Sequence, residues 1–125
     1  MFEVGPLKSV AMTLVILAAS IGASRIARAG ELVMFERAGC VWCQRWDREI
    51  APIYNKTDEA KLLPLRRIDV DRDKPTDLAL ASPVIYTPTF IMIDNGHEIG
   101  RINGYINEES FWGLLGKFAA PPSDP

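Results

Sequence analysis

The sequence predicts an α/β domain with a small mixed central sheet and helices on both faces. Three observations carry this. An apolar run, Leu32-Val33-Met34-Phe35, gives way within a few residues to helical spacing, the pattern of a strand feeding a helix. A second strand pattern follows, and two strands joined through a helix run parallel with a right-handed crossover. Asp94-Asn95-Gly96-His97 is a turn signal between two further strand candidates and predicts an antiparallel hairpin. Parallel and antiparallel pairs in one sheet, with helical segments between them, make the class.

The first strand is expected over 31–36, and Arg37-Ala38-Gly39 is the turn after it. From Cys40 onward the apolar positions Cys43, Trp46, Ile50 and Ile53 follow helical spacing, with Gln44, Arg45, Asp47, Arg48 and Glu49 opposite. Pro52 should end or kink that helix. The second strand is expected at 65–70. Asp71 to Pro75 is a polar turn, and Pro75 suits the start of a short helix over 76–81. Thr89 to Ile93 is the most apolar strand candidate after the first 29 residues, and 98–102 is its hairpin partner, ended by Gly104. A last helix opens at 107–110 and runs to about 118, with Phe111, Leu114, Leu115 and Phe118 on one face. The Pro-rich tail, 119–125, is expected to fray. Trp46, Tyr54, Phe90, Phe111 and Trp112 are expected in or beside the core, and Arg66-Arg67 and the charges of the first helix on solvated faces.

Residues 1–29 do not belong to this domain. Lys8 supplies a weak positive region, diluted by Glu3, and Val10 to Ala19 is an apolar run interrupted only by Thr13. Ala27-Arg28-Ala29 matches a small-x-small cleavage pattern, which places the cut before Gly30 and makes 1–29 a signal peptide and 30–125 the domain. The alternative is a retained anchor, but a span needs ~20 apolar residues and this run meets Ser24 and Arg25 too soon. Export places the chain in the periplasm. The whole sequence has 125 residues, is 48% apolar and carries a formal charge of −2, which fits one globular domain and gives no basic footprint for nucleic acid.

Cys40 and Cys43 are the only two cysteines, in the sequence Cys40-Val41-Trp42-Cys43 at a predicted helix start. Two thiols at this spacing close a small ring that opens and closes by thiolate attack. A bridge across two intervening residues constrains the unfolded chain little, which argues for chemistry over stapling even in an oxidising compartment. Unpaired N–H groups and the helix dipole stabilise a thiolate at Cys40, so Cys40 is expected to attack and the more buried Cys43 to resolve the mixed disulfide. Half of a zinc site is the competing reading. Structural zinc takes four ligands, and only His97, in a predicted turn, remains to join the pair, so no metal and no cofactor is expected. A copper-chaperone reading lacks ligands in the same way. Trp42 is expected to be partly exposed at the mouth of the site and to offer a partner an apolar contact.

The Cys-x-x-Cys that opens the helix after the first strand, Thr87-Pro88-Thr89 before the hairpin and Gly104 after it together resemble the thioredoxin fold, over essentially all of 30–118. The longer run from Cys40 to Pro52 is similar to the SoxS-type periplasmic thioredoxins of sulfur-oxidation systems. The resemblance implies a cis peptide at Thr87-Pro88, a Pro88 packed beside the cysteines, and a Thr87 backbone that hydrogen-bonds an extended substrate segment, its hydroxyl within reach of Cys43. Trp42, Thr87, Pro88 and Gly104 are thus expected to bind substrate. The chain departs from the family at Met34, where thioredoxin carries a buried Asp six positions before its first Cys. That proton acceptor is missing unless Glu36 or a water replaces it. Val41-Trp42 stand where thioredoxin carries Gly-Pro, and the helix-kinking proline follows the cysteines less closely.

The expected function is therefore an exported thiol–disulfide oxidoreductase, a monomer, with Cys40 and Cys43 catalytic. The resemblance implies a cysteine-bearing periplasmic partner such as a sulfur-carrier protein, and a membrane electron donor of the thiol-transfer type. Reduction of apocytochrome cysteines in cytochrome c maturation is an alternative of the same class. A non-enzymatic binding module with an inert disulfide is the alternative of a different class. An isomerase of the DsbC type needs a dimerisation domain for which the chain has no room.

Overall fold

The computed structural model describes residues 30–119, together with Phe2 and Gly5. Apart from Phe2 and Gly5, the segment expected to be a signal peptide lies outside the described residues, as does the tail from 120 onward. The elements are β1 (Gly30–Glu36), α1 (Val41–Glu49), α2 (Ala51–Tyr54), α3 (Asp58–Leu62), β2 (Leu65–Asp69), β3 (Thr89–Asp94), β4 (His97–Asn103) and α4 (Glu108–Ala119). The four strands form one mixed sheet in the order β2-β1-β3-β4. β1 and β2 are parallel, with Leu32 opposite Leu65 and Glu36 opposite Asp69. β1–β3 and β3–β4 are antiparallel. The hairpin turn holds Asn95 at φ 50° and Gly96 at φ 81°, the left-handed pair that a two-residue connection favours.

Strand alternation divides the core in two. Leu32 and Met34 of β1 and Phe90 and Met92 of β3 face one way, onto Trp46 and Ile50 of the α1 segment, Tyr54 of α2, Ala60 of α3 and Phe111 and Leu115 of α4. Trp46 is the hub, with ring centroids 5.2 Å from Phe90 and 5.8 Å from Phe111. Val33, Phe35, Ile68, Ile91 and Ile93 face the other way, and Val70, Leu78, Leu80 and Val84 cover them.

That second face differs from expectation in its cover. The helix expected over 76–81 is absent. Leu78 and Leu80 are half-buried while Asp77, Ala79 and Ala81 are exposed, a period of two that lays the segment down in extended form. Ala79 makes an isolated parallel bridge to His97, its N–H donating to the Gly96 carbonyl at 2.7 Å. Among the described residues, the four helices therefore pack on one face, and a loop covers the other.

Two smaller corrections concern the region after α1. The helix does break before Pro52, which falls in the first turn of α2, and Ile53 is 44% exposed rather than on the buried stripe. The chain then forms α3, which was not expected. Its cap is Thr57, whose Oγ1 accepts the Ala60 N–H at 3.3 Å, with Asp58 and Glu59 in the first turn. In α4, Phe111 and Leu115 are buried, whereas Leu114 and Phe118 sit at the edge of the interface, 40% and 36% exposed.

Candidate active site

β1 carries the chain from the core to its exposed turn. After Glu36 a turn with Gly39 at φ 79° delivers Cys40 as the N-cap of α1. Cys40 is half-buried and Cys43 is 4% exposed, one turn further in. The two are joined as a disulfide with their Cα atoms 5.2 Å apart. Cys40 Sγ also accepts the Cys43 N–H at 3.1 Å, so a capping hydrogen bond from the helix's first turn ends on this sulfur. When the bond opens, the same N–H and the helix N-terminus favour negative charge on Cys40.

Trp42 is 52% exposed beside the disulfide, with the Arg45 guanidinium carbon 5.7 Å from its ring centroid. Arg45 belongs to a small network. Its Nε donates to Glu49 Oε1 at 2.8 Å, and Tyr105 Oη donates to Glu49 Oε2 at 2.6 Å. The hydrogen bonds from Arg45 and then Tyr105 hold the Glu49 carboxyl below the usual carboxylate range, while burial and then Glu49 push the Tyr105 hydroxyl up.

The Thr87–Pro88 peptide is cis. Thr89 pairs with Phe35, so this segment enters β3 at the end of the sheet where β1 turns toward the cysteines. Pro88 is buried, and its carbonyl accepts the N–H of Gly104, itself at φ 81°, at 2.7 Å. Thr87 is half-buried. No hydrogen bond joins its hydroxyl to Cys43. The hydroxyl that bonds here is that of Thr89, donating to the Tyr86 carbonyl at 2.6 Å. Ile85 and Tyr86, just before, are 73% and 65% exposed.

Behind the cysteines lies a cleft of about 330 Å³ that Glu36, Cys40, Cys43, Gln44, Asp47 and Asp69 help to line. Met34 is fully buried in the helix-side core, and Glu36 follows it two residues later on the same face. The Arg67 side chain, on neighbouring β2, lies 3.4 Å from Glu36 Oε2, is paired with Asp47 of α1, and has its guanidinium carbon 5.5 Å from the Trp46 ring centroid. Arg67 is exposed, as expected of a solvated face, and its guanidinium also bridges β1 and α1. Burial pushes the Glu36 carboxyl above the ordinary carboxylate range. Arg67 opposes this, and Asp47 and Asp69 add to it. Among the described residues, no three side chains of His, Cys, Asp or Glu converge to hold a metal. Nor is any helix among them long and apolar enough to cross a membrane.

A family model described as a thioredoxin-like domain matches residues 22–119. The periplasmic thioredoxin SoxS from Paracoccus pantotrophus, in its reduced form, is 43% identical, with a TM-score of 0.69 over 72% of this chain and 95% of that one. The oxidised thioredoxin from Plasmodium falciparum is 27% identical, with a TM-score of 0.55 over 74% of this chain and 83% of that one. A thioredoxin-fold protein from Helicobacter pylori shares the fold at 20% identity, with a TM-score of 0.59 over 74% of this chain and 70% of that one. The comparison with curated proteins found no match.

Proposed function

Because the chain belongs to the thioredoxin-like family, we propose that it is an exported thiol–disulfide oxidoreductase whose Cys40–Cys43 pair reduces a cysteine-bearing periplasmic protein. The placement of the two sulfurs carries this reading. One caps a helix and accepts a backbone N–H, and the other is buried one turn behind it. That asymmetry suits one thiol to attack and the other to resolve. The 43% identity to a periplasmic thioredoxin and the signal-like residues 1–29 support the compartment.

The reduced protein reacts in two steps. Cys40 thiolate attacks a sulfur of the partner's disulfide, forming a mixed disulfide and expelling one partner thiolate. Cys43 then attacks Cys40 Sγ, expels the second partner thiolate and closes the Cys40–Cys43 bond. Two electrons pass to the partner. Trp42, next to Cys43, and Ile85 and Tyr86, just before Thr87, present exposed apolar surface, and an extended segment would add along the Thr87 backbone at the entry to β3. The partner we favour is a sulfur-carrier protein, from the likeness of Cys40 to Pro52 to SoxS-type thioredoxins. A membrane dithiol donor returns the electrons.

The test uses purified reduced protein and a sulfur-carrier protein whose cysteine is blocked as a mixed disulfide. A Cys43→Ser variant should accumulate a covalent adduct through Cys40, and Cys40→Ser should form none. Failure of the wild-type protein to turn over any disulfide would leave an inert binding module.

A further inference from the structure

The resolving step requires a proton to leave a thiol that has almost no contact with water. Cys43 is 4% exposed, and only its thiolate is a competent nucleophile. We propose that Glu36 is the group that accepts this proton, through the cleft that Glu36 and Cys43 share. This rests on the oxidoreductase reading above.

Geometry selects the residue. The even positions of β1 face the helices, and Met34, at 0% exposure in the packed core, offers no acceptor. Glu36 is the next residue on that face, at the strand end nearest the cysteines. Its side chain is 26% exposed and lines the 330 Å³ cleft, which has room for the water that carries a proton between the two groups. The groups around it set its basicity. Asp47 approaches from α1, Arg67 and Asp69 from β2, Arg37 from the turn and Arg72 from the loop after β2. Arg67 divides its guanidinium between Glu36 and Asp47, so neither carboxylate has it alone. A carboxyl already raised by burial is a stronger base than an exposed one, closer to a thiol, and accepts the proton at less cost.

The step balances. The Cys43 S–H bond breaks and its proton passes to the Glu36 carboxylate. The sulfur's electron pair forms the bond to Cys40 Sγ, and the bond from Cys40 to the partner sulfur breaks with its pair on the partner. The dithiol is oxidised, the partner disulfide is reduced, and the carboxyl gives up its proton to solvent before the next turnover.

Stopped-flow reaction of the reduced protein with Ellman's disulfide separates the two events, because attack by Cys40 releases the first coloured thiolate and closure by Cys43 the second. In Glu36→Gln the first phase should be unchanged, and the second should slow by roughly 10²-fold near neutral pH. The deficit should narrow as pH rises past the ordinary thiol range of about 8.5, where hydroxide does the work. Glu36→Asp, which keeps a carboxyl, should retain a pH inflection that Glu36→Gln lacks. Two results overturn the assignment: an unchanged second phase in Glu36→Gln, or a slowing equal at every pH, the mark of a structural effect. A wild-type protein that releases no second thiolate overturns instead the oxidoreductase reading on which the assignment depends.

Discussion

Arg101→Met should destabilise the protein more than any other change to a β4 side chain that reaches the surface. Its side chain is 16% exposed and that of its partner, Glu98, 6%. Arg101 Nε donates to Glu98 Oε1 at 2.8 Å, and Nη2 and Nη1 donate to the Ser82 and Pro83 carbonyls at 2.8 and 3.3 Å. Glu98 Oε2 accepts the Ala81 N–H at 3.2 Å. The pair thus clamps 81–83, the stretch leading into Thr87-Pro88. Methionine keeps the stem and removes the fork, leaving a buried carboxylate with one neutral donor. Removing one partner of such a pair costs ~3–5 kcal/mol. The long contact to Pro83 is at the surface and adds little, so the lower end, about 3 kcal/mol, is expected. For a domain of this size that lowers Tm by about 10–20 °C. Glu98→Gln should cost less, because the remaining cation reaches water and keeps both carbonyls. The double variant Arg101→Met/Glu98→Leu should recover part of the loss, since no charge is then stranded. Urea unfolding of the oxidised proteins at neutral pH measures all three. Loss of less than about 1 kcal/mol in Arg101→Met would mean that water screens the pair and that the clamp is only apparent.

Trp42→Ala removes an indole that is 52% exposed, so stability should stay within about 0.5 kcal/mol while capture of a protein partner by the Cys43→Ser background weakens. Equal capture with and without the indole in a pull-down would remove Trp42 from recognition. Glu49 has a folded pKa held down by Arg45 and Tyr105, so its contribution is present above the unfolded value of roughly 4.3 and lost as pH falls below it. Glu49→Gln should therefore lower the urea midpoint more at pH 7 than at pH 3, and an equal loss at both would mean that packing, not charge, is at stake.

β1, α1, the hairpin and α4 were legible because each carries a strong local pattern: an unbroken apolar run, helical spacing from Cys40, the Asn95-Gly96 turn, and acidic residues opening the last helix. The segment from Thr76 to Ala81 was misread because Pro75 suggested a helix start, while the alternation of Leu78 and Leu80 spans too few residues to outweigh it. Only the apolar face of the sheet, formed from three strands far apart in sequence and otherwise uncovered, decides that this stretch lies flat. α3 was missed although Thr57-Asp58-Glu59 is a cap followed by acids, because Ala60 alone of its residues is buried and no apolar stripe announces it. At the site, the cysteines and Thr87-Pro88 were visible as motifs. The bridge from Glu36 through Arg67 to Asp47 was not, because it depends on the parallel register that sets Met34 beside Arg67 and Glu36 beside Asp69. The Arg45–Glu49 pair, by contrast, lies at i,i+4 on one helix and needed no tertiary information.

The two redox states of this site make opposite demands on the fold, and the location of its stability reconciles them. A disulfide that closes only the short ring from Cys40 to Cys43 adds about 2 kcal/mol by the loop-entropy rule, less than a long-range bridge supplies. Small domains typically hold 5–15 kcal/mol in total. Here the large contributions lie elsewhere: Trp46, Phe90 and Phe111 pack edge and face at 5.0–5.8 Å, and the second cluster behind the sheet contains neither sulfur. Opening the bond therefore removes a minor share of the stability and leaves the aromatic hub intact, so Cys43 stays buried beside Glu36 when it becomes a thiol. A bridge retained only as a staple gains most by joining distant segments, and nothing is gained by placing its outer sulfur at a helix cap where the thiolate is favoured. The position of the ring makes sense if it opens.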